Sequence, residues 1–252
     1  MSTLESYWQE VGSLRPSGLR EARLQLYLAL QVLASAADAL LERTADGGHR
    51  ALTFLPDASA LATAVVDATP PLRLGLSLCG LQLMALDEDG VLIAAMDLPG
   101  KTLDEAASWA QETARDGGRK EAEVSLPSPL PLPKHSVSRG GPFSEELGAE
   151  VREIGRYFAN TELLLGSIAR ETKGGVTPVR GRPEGFGLGM FVAIGEPKSK
   201  SRKLINLGLS PGDVAYAEPY WFVRPRPAPK LAQPPVMAEP GHWHVEGWSG
   251  AA

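Results

Sequence analysis

The chain has 252 residues, of which 43% are hydrophobic and 22% charged, values that suit a globular fold with a sizeable core and exclude a chain dominated by disorder. Its 25 Lys and Arg stand against 30 Asp and Glu, a formal net charge of -5 spread along the chain, which argues against nucleic acid as the main partner. Cys79 is the single cysteine, so no intramolecular disulfide can form.

The N-terminal MSTLESYWQEVGSLR has neither a basic nor an apolar leader region, which predicts a cytoplasmic protein. Ser2-x-x-Glu5 has capping-box spacing for a short first helix ending near Gly12. From Leu19, apolar residues at 22, 26, 30, 33, 37 and 40 step by three and four and predict a long amphipathic helix that stops before Asp46-Gly47-Gly48. The surrounding apolar stretch, Leu24–Ala37, is broken by Gln25, Gln31 and Ser35, so no membrane span is expected. His49, just past the glycines, is expected at the surface.

Residues 51–55 predict a strand that breaks at Pro56. Leu72, Leu74, Leu76 and Leu78 alternate with Arg73, Gly75, Ser77 and Cys79, a half-buried strand with Cys79 as a core thiol; the phase slips after Gly80, where a bulge is expected. Asp87–Gly90 then turns the chain into 91–96. Thr102-x-x-Glu105 opens a second helix that ends at Gly117-Gly118, and a short strand is expected near Glu121–Leu126. Prolines 127, 129, 131, 133 and 142 mark an extended connector over 127–143, dividing the chain into an N-terminal half, 1–126, and a C-terminal half, 144–252.

Ser144 is expected to cap the next long helix, whose stripe runs Leu147, Val151, Ile154, Phe158, Leu165 and Ile168. A glycine-rich passage containing Arg180 leads to a strand at Met190–Ile194, and Lys198, Lys200, Arg202 and Lys203 form a short basic turn. Leu204–Leu209 and Ala215–Val223 predict an antiparallel hairpin around Ser210-Pro211-Gly212-Asp213, a type II turn by composition. The fold class is α+β, with two antiparallel sheet halves each packed on a long amphipathic helix.

Chemistry concentrates near the C-terminus. In GHWHVEGW an extended backbone sends His242, His244 and Glu246 to one face, a ligand set that zinc, iron or manganese accepts. The plainer reading is a polar patch whose members hydrogen-bond one another, because spacing fixes no further ligand; Glu218, Asp213 and His135 are the candidates. Along Ala215–Val223, Tyr216, Glu218, Tyr220 and Phe222 share a face, and a carboxylate between two tyrosines can orient a ligand or act as a general base. A structural alternative has the phenols and Glu218 satisfy one another at the sheet rim. Tyr216, Tyr220, Trp243 and Arg180 complete the candidate binding residues. Gly185-x-Gly187-x-Gly189 lacks dinucleotide-binding spacing.

Three stretches, TPVRGRPEGFGL (177–188), LGLSPGDVAYAEPYWFV (207–223) and GHWHVEGW (241–248), resemble a family of uncharacterised bacterial proteins of about this size; LREARLQLYLALQVLASAADALL and HSVSRGGPF extend the likeness. Family members carry Pro-His-His-Phe-Asp where this chain has Pro183-Glu184-Gly185-Phe186-Gly187, and they continue past the GWSGA stretch. The resemblance implies that a site built from both segments would here lack its first half, and it carries no activity to transfer. Three functions stay open: a small-molecule-binding protein with a polar, aromatic pocket; a metal-dependent, hydrolase-like enzyme with Glu218 as base; and a non-catalytic interaction module displaying Trp, Tyr and proline-rich segments.

Overall fold

The structure, a computed structural model, describes residues 6–126, 133–195, 203–228 and 236–252. Expectations placed on residues 1–5, the first prolines of the connector, and Lys198, Lys200 and Arg202 lie outside the described residues. The architecture is α+β, with two antiparallel sheets backed by helices.

The first long helix, α1 (Arg20–Leu40), is entered through a 3-10 turn at Pro16–Leu19. Leu26, Leu30 and Leu33 are buried as the periodicity requires, and so are Gln25 and Gln31, because neighbouring elements cover several sides of this helix. Most of their amide groups are used: Gln25 Nε2 donates to Glu21, Gln25 Oε1 accepts from the amide of Ser144, and Gln31 Nε2 donates to the carbonyl of Tyr27, while Gln31 Oε1 has no partner among the described residues.

The first sheet has the order β1 (Thr53–Leu55), β2 (Ala60–Ala62), β3 (Arg73–Ser77), β4 (Gln82–Leu86) and β5 (Leu92–Asp97). The phase slip at Gly80 is a hairpin rather than a bulge within one strand. Ser77 pairs with Gln82, and Leu81 closes the loop with φ +49, a left-handed conformation usually left to glycine. Cys79 therefore sits in a turn, exposed, and is not a core thiol. The capping box forms as expected: Thr102 Oγ1 accepts from the amide of Glu105, whose carboxylate accepts from the amide of Thr102, and α2 (Leu103–Asp116) follows.

Glu121–Leu126 forms no strand; the amide of Val124 is taken by the Gln111 side chain and that of Ala122 by the carbonyl of Arg119. Nor do residues 6–12 form a helix. They lie along α3 (Gly148–Glu171), where Gln9 and Asn160 exchange two hydrogen bonds of 2.8 Å and the buried Glu153 carboxylate accepts from Gly12 and Ser13. Ser144 caps the turn at Glu146 rather than the helix, which starts at Gly148 after Leu147. His49 is not a surface residue: its ring is buried against Asp38 at 2.7 Å.

The second sheet has the order β10 (Trp243–His244), β11 (Gly250–Ala251), β9 (Tyr220–Arg226), β8 (Lys203–Ser210), β7 (Gly187–Ile194) and β6 (Arg180–Arg182). Leu188, Met190 and Leu209 are buried on its inner face, where α3 packs. Leu52, just before β1, and Gly181 exchange main-chain hydrogen bonds of 2.9 and 2.7 Å, so the sheets meet edge to edge. Phe158 of α3, fully buried, packs against Phe54 of the first sheet and Phe186 of the second half, with ring centroids 6.5 and 5.4 Å away.

Candidate functional site

The outer face of the second sheet carries the site. Residues opposed in an antiparallel ladder share a face, and the register aligns Arg180 with Gly189, Gly208 and Phe222, then Phe191 with Asn206 and Arg224, then Leu204 with Arg226. Glycine at 208 keeps this face low: a Cβ there would meet the Phe222 ring at 2.7 Å. The result is a groove of about 660 Å³ whose lining includes Arg180, Arg182, Arg224, Arg226, Asn206 and Phe222. Among the described residues, none of these four arginines has a carboxylate within ion-pair distance. Glu162 of α3 feels the charge of Arg180 from further off, yet burial dominates and raises its carboxyl pKa.

One end of the groove is organised by Asp213, in the loop between β8 and β9. Its Oδ1 accepts from the amides of Ala215 (2.8 Å) and Tyr216 (3.1 Å), and its own amide donates to the carbonyl of Tyr216 at 2.7 Å. That local turn explains why β9 begins only at Tyr220 and not at Ala215: an Asx-type turn competes successfully with the ladder. Asp213 Oδ2 accepts from the Tyr220 hydroxyl at 2.6 Å, and Arg224 Nη2 donates to the same phenol oxygen at 3.2 Å. The Arg224 guanidinium lies 3.9 Å from the centroid of Trp248 and 4.4 Å from that of Phe222. Two buried donors, Arg224 Nε and Trp248 Nε1, have no partner among the described residues.

Turned back by Asp213, Tyr216 reaches the C-terminal segment. Its hydroxyl lies 2.7 Å from His242 Nε2 and 2.8 Å from His244 Nδ1. The His244 ring stacks on Trp248 at 4.3 Å, and its Nε2 donates to the main-chain carbonyl of Glu246. Tyr216 also packs edge-on against Tyr220 at 4.8 Å.

Of the residues singled out in the sequence, Tyr216, Tyr220, His242 and His244 come together, with Arg180 further along the same sheet face. Trp243 opens β10 and is half-buried. Glu246 approaches His244 through its backbone, not its carboxylate, because only Trp243 and His244 are extended enough to alternate. Glu218 does not stand between the tyrosines. It is exposed outside the strand, and its charge acts on Tyr157 of α3, whose phenol pKa is raised first by burial and then by Glu153 and Glu218. His135 pairs with Glu21 at 2.8 Å. Among the described residues, no three His, Cys, Asp or Glu side chains gather as a metal cage.

Arg182, Arg224, Arg226 and Trp248 were not among the expected binding residues, and Asp213, expected only as a candidate further metal ligand, instead organises the loop. The arginines had a signal: Arg180-x-Arg182 and Arg224-x-Arg226 both have the spacing that puts two strand side chains on one face. Compared with protein-family models, curated proteins and solved structures, the chain matches none.

Proposed function

We propose that the protein binds a small anionic molecule in the groove on the outer face of the second sheet. The observation that carries this reading is the set of four arginines, 180, 182, 224 and 226, lining one hollow with Glu184 and Asp213 but with no carboxylate at ion-pair distance among the described residues, in a chain of net charge -5. Guanidinium groups crowded in a partly desolvated groove repel one another, and a carboxylate or phosphate relieves that repulsion through charge-assisted, bidentate hydrogen bonds. Phe191 and Phe222 supply apolar lining, so the favoured ligand carries an apolar or planar part beside its anionic group. The Nε of Arg224, which has no partner among the described residues, is a donor in keeping with that ligand.

Calorimetry and thermal unfolding with inorganic pyrophosphate and with an aromatic carboxylate such as benzoate test the reading. Saturating either probe at a hundred times its dissociation constant stabilises the native state by about 2.7 kcal/mol. An Arg180→Ala/Arg226→Ala variant is expected to lose this response. Stabilisation no larger than that given by chloride at equal ionic strength, or an undiminished response in the variant, rules the reading out.

A further inference from the structure

We propose that Tyr216, His242 and His244 form a transition-metal site that takes a divalent ion of the zinc or copper class through two imidazole nitrogens and a phenolate oxygen. The proton bookkeeping comes first. A main-chain carbonyl only accepts, so His244 Nε2, bonded to the carbonyl of Glu246, carries the hydrogen. In the neutral ring Nδ1 then holds a lone pair, and that nitrogen faces the Tyr216 oxygen at 2.8 Å. An imidazole whose outer N–H is fixed by a backbone carbonyl while its inner nitrogen faces a second donor is the arrangement metal-ligating histidines adopt.

His242 brings Nε2 to the same phenol oxygen at 2.7 Å. Ligands at roughly 2.0–2.1 Å from a common ion are about 2.9 Å apart at the right angles of a tetragonal copper site and about 3.4 Å apart in a tetrahedral zinc site, so the oxygen-to-nitrogen separations need to open by about a tenth or two of an ångström for copper and by about 0.6 Å for zinc. The donors are held in place before any ion arrives. Trp248 stacks on His244 with an interplanar angle of 23°, Tyr220 braces Tyr216, and Asp213 fixes the main chain on which Tyr216 stands. His242 is exposed and the other two are half-buried, which leaves coordination positions open to water or a ligand. Two neutral nitrogens and one anionic oxygen select a borderline ion over calcium or magnesium. The ion displaces the phenolic proton, which leaves to solvent. Tyrosine thus takes the third place that the sequence pattern offered to Glu246.

The test uses the full chain and Cu(II), with Zn(II) as a second probe, followed by calorimetry and visible absorption. One ion per chain is expected, and bound Cu(II) should show a phenolate-to-copper charge-transfer band. Tyr216→Phe is expected to abolish the band and weaken Cu(II) at least tenfold. His242→Gln, at an exposed position that leaves the fold intact, should weaken both ions at least tenfold. Absence of stoichiometric binding, absence of the band in the wild type, or unchanged affinity in His242→Gln overturns the proposal. None of these readouts depends on the arginines, so the metal site and the anion groove stand or fall separately.

Discussion

The phenol of Tyr220 donates to Asp213 across 2.6 Å and so ties the β8–β9 loop to the first residue of the strand that follows it. Burial, then the adjacent carboxylate, pushes the Tyr220 pKa up to about 12. Burial alone would raise Asp213 as well, but the bonds it accepts from Tyr220, Tyr216 and Ala215 outweigh that and hold it below its ordinary value.

Tyr220→Phe leaves one oxygen of Asp213 without its donor and is expected to cost about 1 kcal/mol in urea unfolding, a modest figure because the carboxylate is partly solvated. The pH dependence has two limbs. Tyr220 titrates higher in the folded chain than its ordinary 10.0, so its contribution is whole below that pH and is lost as pH rises toward 12. Asp213 titrates below its ordinary 3.8, so its contribution is present above that pH and is lost on acidification. The difference in stability between wild type and variant should therefore shrink from pH 9 to pH 12; a constant difference would show that the pair is not coupled in this way.

Gly155 of α3 sets helix propensity against packing. Alanine is intrinsically better in a helix interior by about 1 kcal/mol. Here a Cβ would come within 2.6 Å of the carbonyl oxygen of Leu78, at the β3–β4 hairpin, and 3.1 Å of the Leu78 Cβ. Backbone cannot move aside cheaply, so Gly155→Ala is expected to destabilise by about 1–3 kcal/mol. A stabilised variant would mean that the helix does not pack so tightly on the turn.

Phe158→Ala should lower the unfolding free energy by about 3–5 kcal/mol. The ring is fully buried between Phe54 and Phe186, so the loss is expected to reach both sheets and to leave a single cooperative transition. Two separated transitions in fluorescence and circular dichroism would contradict this.

The arginine groove makes a prediction that needs no ligand. Like charges on neighbouring strands repel, and salt screens them. Raising sodium chloride from 10 to 500 mM should stabilise the wild type more than Arg180→Ala/Arg226→Ala, read as the change in urea midpoint. Equal salt responses would mean that the guanidinium groups are already neutralised.

Helices and long strands were readable because their signals are periodic and repeated. Leu26, Leu30 and Leu33 in α1, Val151, Ile154 and Phe158 in α3, and the alternating leucines of β3 each state their buried face several times over. Short elements were not. Ala60–Ala62 is too brief to show alternation, and Leu81 adopts a left-handed backbone that no residue type announced, which turned a hairpin into an apparent bulge. Around the site, Tyr216, Tyr220, His242 and His244 were legible as a concentration of aromatic and imidazole groups. Their real geometry was hidden because one side chain, Asp213, folds the loop by capping amides two and three residues ahead, and that replaces the strand alternation assumed for Ala215–Pro219.

The paired hydrogen bonds between Leu52 and Gly181 join a residue of the first half to one of the second, and Gln9 and Ser13 are held by Asn160 and Glu153 in the same sense. The N-terminal end of the chain is thus stitched into the opposite portion, and the two sheets are joined along one edge. Two polypeptides divided after Leu126 and produced together should reassemble into one particle, running as two bands on a denaturing gel and as a single peak in gel filtration.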